Sequence, residues 1–134
     1  MRECKSDDTI LVAINPVERP GTPRTARDIL NRLNEISFNS VLLKELRMAA
    51  LLRQTADPGS DEGRHWAGMR LHLVRSELMS ELAASSKLNA EWAFLTMLRD
   101  EGRKSAEAFL AEHGGDLGKR STLDIDRLLP LTGV

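Results

Sequence analysis

The chain's first sustained apolar run is Thr9 to Ile14 (TILVAI), uncharged and rich in branched side chains. A run of this kind suits a strand covered on both faces, as in a parallel sheet, whereas a half-exposed strand alternates. Asn15-Pro16 ends it, because proline has no N–H for the ladder, and Pro20-Gly21 marks a turn. The pattern then changes to helical spacing. Thr22 reads as the N-cap, with Pro23 at the first helical position, where its missing N–H costs nothing. Ala26, Ile29, Leu30, Leu33 and Ile36 form one stripe, and Arg24, Arg27, Asn31, Asn34 and Glu35 fall mostly on the other side. Ser37 to Ser40 predicts a kink or a break. Val41, Leu42, Leu46, Ala49, Ala50 and Leu52 continue the apolar face until Asp57-Pro58-Gly59-Ser60 stops it.

Asp57 to Gly68 reads as a polar surface loop, with Trp66 its bulky apolar residue. Met69 to Val74 (MRLHLV) alternates, placing Met69, Leu71 and Leu73 on one face and Arg70, His72 and Val74 on the other. Strand, long helix, strand makes a crossover unit, whose right-handed connection predicts parallel neighbours. Beyond it, Glu77 to Ala84 predicts a short helix, and Ser85 to Asn89 a break. A longer helix follows, with Leu88, Trp92, Leu95 and Leu98 at helical spacing and Phe94 and Met97 widening the stripe. It continues through Gly102 and stops at Gly114-Gly115. Ser121 to Asp124 reads as a capping box for a closing helix that ends before Pro130.

The expected fold is therefore α+β and helix-dominated. Strands at about 9–14 and 69–74 are joined by the long helix, and helices follow at about 77–84, 90–113 and 122–129. At 134 residues the chain is a single domain or a fragment of one.

Composition narrows the function classes. With 41% apolar but only 4% aromatic residues, the core must be built mainly from Leu, Ile, Val, Ala and Met. Nineteen Lys and Arg against twenty Asp and Glu give a net charge of -1, which removes the electrostatic case for nucleic acid as a partner. The lone Cys4 cannot form an internal disulfide. No apolar run approaches the roughly 20 residues of a membrane span, and MRECKSDD lacks the apolar centre of a signal peptide. The expected location is cytoplasmic.

Candidate chemistry is sparse. A serine hydrolase needs a nucleophile on a sharp strand-to-helix turn, typically G-x-S-x-G, and a base. The nearest string, Gly59-Ser60-Asp61-Glu62-Gly63, has the wrong spacing and no strand before it. No P-loop or dinucleotide-binding glycine motif occurs. Gly114-Gly115-Asp116-Leu117-Gly118 follows a helix, so it reads as a cap rather than a phosphate cradle. His65, His72 and His113 are scattered without metal-motif spacing, and His72 reads as a partly buried structural residue. Asp7-Asp8, Asp61-Glu62 and Asp100-Glu101 read as solvated faces. Arg19, Arg24 and Arg27 surround the start of the long helix and form a weak candidate contact for an anion or lipid head group. Salt bridges and solvated charge are the plainer account of the three. No catalytic, cofactor-binding or metal-binding residue is assigned, and no cofactor is implied.

Two long segments carry more than pattern. INPVERPGTPRTARDILNRLNEISFNSVLLKELR and SSKLNAEWAFLTMLRDEGR closely resemble the C-terminal region of a bacterial subgroup of patatin-like phospholipases, and RSTLDIDRLL is similar to that family's closing segment. The resemblance runs from near Asp8 to about Leu128. It implies a parent serine acyl hydrolase of lipid esters. Such an enzyme has a Ser in a G-x-S-x-G elbow, an Asp in a D-G-G or D-G-A motif, and a glycine-rich oxyanion loop. None of these is in this chain, and all would lie N-terminal to residue 1, so no catalytic residue is carried over. Residues 8–75 would be the last crossover of the catalytic sheet, and 76–134 a helical cap. The expected function is that of the non-catalytic C-terminal part of such a hydrolase, unable to cleave esters alone. The alternatives are a stand-alone interaction module that pairs as a homodimer, or an anionic-membrane contact through Thr22 to Ile36. Expected partners are accordingly a second copy or the missing catalytic half, with a lipid surface as a further possibility.

Overall fold

A computed structural model of the chain describes residues 6–17, 19–82 and 84–128. Strand β1 (Asp8–Val12) leads to the long helix α1 (Ala26–Thr55), helix α2 (Asp61–Gly68) and strand β2 (Arg70–Val74). Helix α3 (Leu78–Glu81) and helix α4 (Trp92–His113) follow, with 3-10 turns at Ala84–Leu88, Gly114–Asp116 and Asp126–Leu128. The two strands pair in parallel as a two-stranded sheet, with α1 in the crossover between them. The fold is α+β and helix-dominated, as the pattern predicts. No described helix is long and apolar enough to cross a membrane.

Local chemistry explains where the elements depart from expectation. Helix α1 begins at Ala26 rather than after Thr22, because Thr25 is the better cap: its Oγ1 accepts from the Asp28 N–H at 3.1 Å. Thr25-Ala26-Arg27-Asp28 also puts a carboxylate in the first turn, which Thr22 would not have. The helix runs unbroken through Ser37–Ser40. Asn39 donates to the Pro16 carbonyl at 2.8 Å, so its side chain does not compete for the helical ladder, and Ser40 donates back to the Ser37 carbonyl at 2.8 Å without breaking the helix.

Residues 61–68 form helix α2, not loop. Ser60 Oγ caps it by accepting from the Gly63 N–H at 2.9 Å, and Asp61 and Glu62 lie in its positive first turn. Gly63 is required there, since an added Cβ would lie 1.9 Å from the Asp57 carbonyl oxygen. The short helix α3 stops at Glu81, and α4 starts at Trp92 after Asn89 Oδ1 accepts from the Glu91 N–H at 2.9 Å. Chain reversal after α4 uses Gly118, at φ +76°, rather than Gly114 or Gly115. Ser121 to Asp124 is not a capping box: Ser121 Oγ accepts from the Leu71 N–H at 3.1 Å, so the hydroxyl is taken by β2. The closing element is the 3-10 turn Asp126–Leu128, and the expected helix to 129 runs past the described residues.

Burial on both faces of β1 is not found. Leu11 is half-buried, whereas Ile10 and Val12 are 47% and 69% exposed. Among the described residues the sheet has two strands, and the Ile10 side of β1 is left exposed.

The described chain forms two compact units, one from residues 6–11, 41–73 and 113–128 (unit 1) and one from residues 12–40 and 74–112 (unit 2). Unit 1 holds a small apolar core of Leu46, Ala49 and Ala50 from α1, Met69 and Leu71 around β2, and Ile125. Leu11, Leu42, Trp66 and Leu123 pack against it. Unit 2 is organised differently. Its part of α1 buries Glu35 and Asn39 and leaves Ile29, Leu30, Leu33 and Ile36 exposed. The stripe expected to face a core faces outward, because polar partners hold the opposite side inward.

Candidate ligand pocket and a buried polar hub

Unit 2 contains a cavity of about 490 Å³. Its floor comes from Val12 to Pro16 and Val74 to Ser76, and one wall from α4. Phe94, Leu98, Glu101, Gly102 and Ser105 reach it because those positions recur every three or four residues, on one side of a helix. Met79 and Leu82 add apolar surface from α3 and its end. Gly102 leaves open space, since a Cβ built there meets nothing within 4 Å.

Polar residues interrupt this apolar lining, Asn15, Glu35, Ser76 and Glu101 among them. Ser76 Oγ donates to Glu101 Oε1 at 2.6 Å and accepts from the Leu78 N–H at 3.1 Å. Glu35 is held by Arg19 through two parallel bonds, Nη2 to Oε1 at 2.5 Å and Nε to Oε2 at 3.0 Å, the fork geometry that neutralises a carboxylate most completely. Arg19 also donates to the Ser80 carbonyl, and its own carbonyl accepts from Arg32 at 3.0 Å. Asn15 is only 5% exposed, and its buried Nδ2 has no hydrogen-bond partner among the described residues. This arrangement suits binding rather than nucleophilic attack. The Ser76 hydroxyl is held between the Leu78 N–H and Glu101, and that carboxylate lies on the cavity wall.

Unit 1 holds a polar cluster centred on Asp8. Asp8 accepts from Arg70 Nη2 at 2.7 Å, from Arg70 Nε, from the Gly118 N–H at 2.9 Å and from His72 Nε2 at 3.1 Å. Arg70, then Gly118 and His72, hold the Asp8 carboxyl well below the usual carboxylate range, and Asp8 in turn pushes the Arg70 guanidinium up. Asp116 is likewise lowered, chiefly by Arg120 and then by His113. The reading of Asp7-Asp8 as a solvated face thus fails for Asp8, whose partners come from β2 and from the turn at Gly118. Asp7 stays exposed. His72 is fully rather than partly buried.

Asp8, His72 and Thr122 are linked as carboxylate, imidazole and hydroxyl, with Thr122 Oγ1 at 3.1 Å from His72 Nδ1. That is the connectivity of a catalytic relay, but its surroundings are those of a structural lock. His72 is 0% exposed, Arg70 already compensates Asp8, and the Thr122 and Leu123 N–H groups both donate to the Leu71 carbonyl at 3.0 Å.

Of the three arginines singled out from sequence, Arg19 is engaged by Glu35, whereas Arg24 and Arg27 are exposed near the start of α1. Among the described residues no group of three His, Cys, Asp or Glu side chains is placed to hold a metal ion. Asn15 and the Ser76–Glu101 pair were not identified from sequence. Glu101 did carry a signal, as a carboxylate three and seven residues after Leu98 and Phe94 on the apolar stripe. Comparison with protein-family models, with curated proteins and with solved structures finds no match to this chain.

Proposed function

We propose that this chain is the closing, non-catalytic part of a patatin-like lipid acyl hydrolase. The observation that carries the reading is an unfinished parallel sheet. Among the described residues strands β1 and β2 pair only with each other, and Ile10 leaves its side chain 47% exposed. Parallel sheets are ordinarily covered on both faces, and two strands alone are marginal in water. Further strands and a second helical layer from the rest of a hydrolase would supply that cover. The likeness of the two long segments to the family's C-terminal region supports the same assignment. So do the roles of the serines closest to a nucleophile's setting: Ser60 caps α2, and Ser76 is bonded to the Leu78 N–H and to Glu101.

The test is turnover of a p-nitrophenyl acyl ester by the purified chain, together with the coding sequence upstream of Met1. The reading expects background rates from the chain alone, and a G-x-S-x-G and a D-G-G segment in the same reading frame. Enzymatic turnover by the isolated chain, lost on Ser60→Ala or Ser76→Ala, would overturn it.

A further inference from the structure

We propose that the unit 2 cavity binds an uncharged amphiphile: a largely apolar molecule with a single carbonyl-type acceptor that takes the Asn15 amide N–H. The proposal goes beyond the acyl-hydrolase reading and does not depend on it.

At about 490 Å³ the cavity falls within the roughly 300–1,000 Å³ of small-molecule sites. Such sites pair apolar walls with a few placed polar groups, and this lining does the same. Val12, Val74, Phe94 and Leu98 are apolar, and Ser76 and Glu101 are already joined to each other.

Asn15 supplies the recognition element. Asn15 is one of the residues that line the cavity, it is 5% exposed, and its buried Nδ2 lacks a partner among the described residues. Buried donors are almost always satisfied, so an unsatisfied one at a cavity wall marks a position that a ligand acceptor completes. The torsion that aims an Asn amide is broad, so turning Nδ2 into the cavity needs no backbone change.

Charge selects against an acid. Glu101 is only 20% exposed on the cavity wall, and the nearest compensating cation, Lys104, is 3.8 Å away and 81% exposed. An anionic head group beside Glu101 would meet a like charge in poorly solvated surroundings. Glu35 adds no net field, because Arg19 neutralises it. The cations bordering the cavity, Arg75 and Lys87, are solvent-exposed, and Lys87 lies over the Phe38 ring at 4.7 Å from its centre. An ester or amide carbonyl therefore fits better than a free carboxylate.

The test is competition against the neutral fluorophore N-phenyl-1-naphthylamine, using methyl decanoate, decanamide and decanoate at pH 8. The proposal expects the two neutral carbonyl ligands to displace the dye more tightly than decanoate. Asn15→Leu keeps the volume and removes the donor. It should weaken the carbonyl ligands roughly three- to tenfold, the worth of one hydrogen bond, and leave dye affinity within about twofold. Gly102→Leu fills the cavity on a helix that tolerates the side chain, and should abolish dye and ligand binding while leaving the circular dichroism spectrum unchanged. Equal affinities for ester and acid, carbonyl ligands insensitive to Asn15→Leu, or dye binding that survives Gly102→Leu would each overturn it. Because these are equilibrium readings, they stand or fall separately from ester turnover.

Discussion

Asp8 and Arg70 face each other across the two parallel strands, with Arg70 Nη2 2.7 Å from Asp8 Oδ2 and Arg70 Nε bonded to both carboxylate oxygens. The same carboxylate ties down Gly118 and the buried His72, so one side chain joins β1, β2 and the turn after α4. This gives a pH dependence with a definite sign. A carboxyl whose folded pKa is lowered stabilises the fold above its ordinary value near 4, and that contribution is lost as pH falls toward the folded value. Asp8→Asn should therefore lower the Tm clearly at pH 7 and by less at pH 3. Thermal melts of both proteins across that range check it, and a constant difference in Tm would contradict the linkage.

A leucine-to-alanine change should cost far more in the unit 1 core than on the first half of α1. Leu71 on β2 is 1% exposed in the core built on the second half of α1, and Leu71→Ala should cost about 2–5 kcal/mol in urea unfolding. Leu33, on the first half of α1, is 54% exposed, and Leu33→Ala should stay within about 0.5 kcal/mol. Comparable losses at both positions would show that the apolar stripe of residues 29–36 is covered after all.

Helix α2 depends on two small features. Ser60→Ala removes its cap and should cost about 0.5–2 kcal/mol. Gly63→Ala drives a methyl group into the Asp57 carbonyl, so it should destabilise at least as much even though alanine is the better helix former. Chemical denaturation of the two variants measures both. A Gly63→Ala variant as stable as the parent would contradict the close approach.

These comparisons also show what the residues could and could not announce. The crossover was legible because its signals are local: an apolar run ended by Asn15-Pro16, a long periodic helix and an alternating second strand. Helix α4 ended at His113 as expected, with Gly102 inside it. Helix α2 was hidden because it spans only 8 residues, too short for periodicity to show, and its cap follows the turn-like Asp57-Pro58-Gly59. The outward stripe on α1 could not be seen, since a period of 3.6 marks an apolar face but not whether anything covers it. The inward side was decided by Arg19 and Pro16, which lie 16 and 23 residues from Glu35 and Asn39. The hub at Asp8 is more distant still, with partners 62, 64 and 110 residues away.

Ile10 offers a direct handle on the open sheet. It is 47% exposed and lies outside the unit 2 cavity, so Ile10→Lys should leave stability within about 0.5 kcal/mol. If the face is covered by the rest of a hydrolase, the same change should prevent that assembly. Co-purification of wild-type and Ile10→Lys chains with an added polypeptide that carries the elbow measures this. Equal recovery of the two would show that β1 is not the joining surface.

The central claim, that this chain contributes structure and binding but no nucleophile, is tested most directly by active-site labelling. The folded chain would be treated with a fluorophosphonate acyl-hydrolase probe and its intact mass measured. The account predicts an unmodified mass for the chain alone, with Ser60 and Ser76 unlabelled. A single stoichiometric adduct on one serine of the native chain, absent after denaturation, would contradict it.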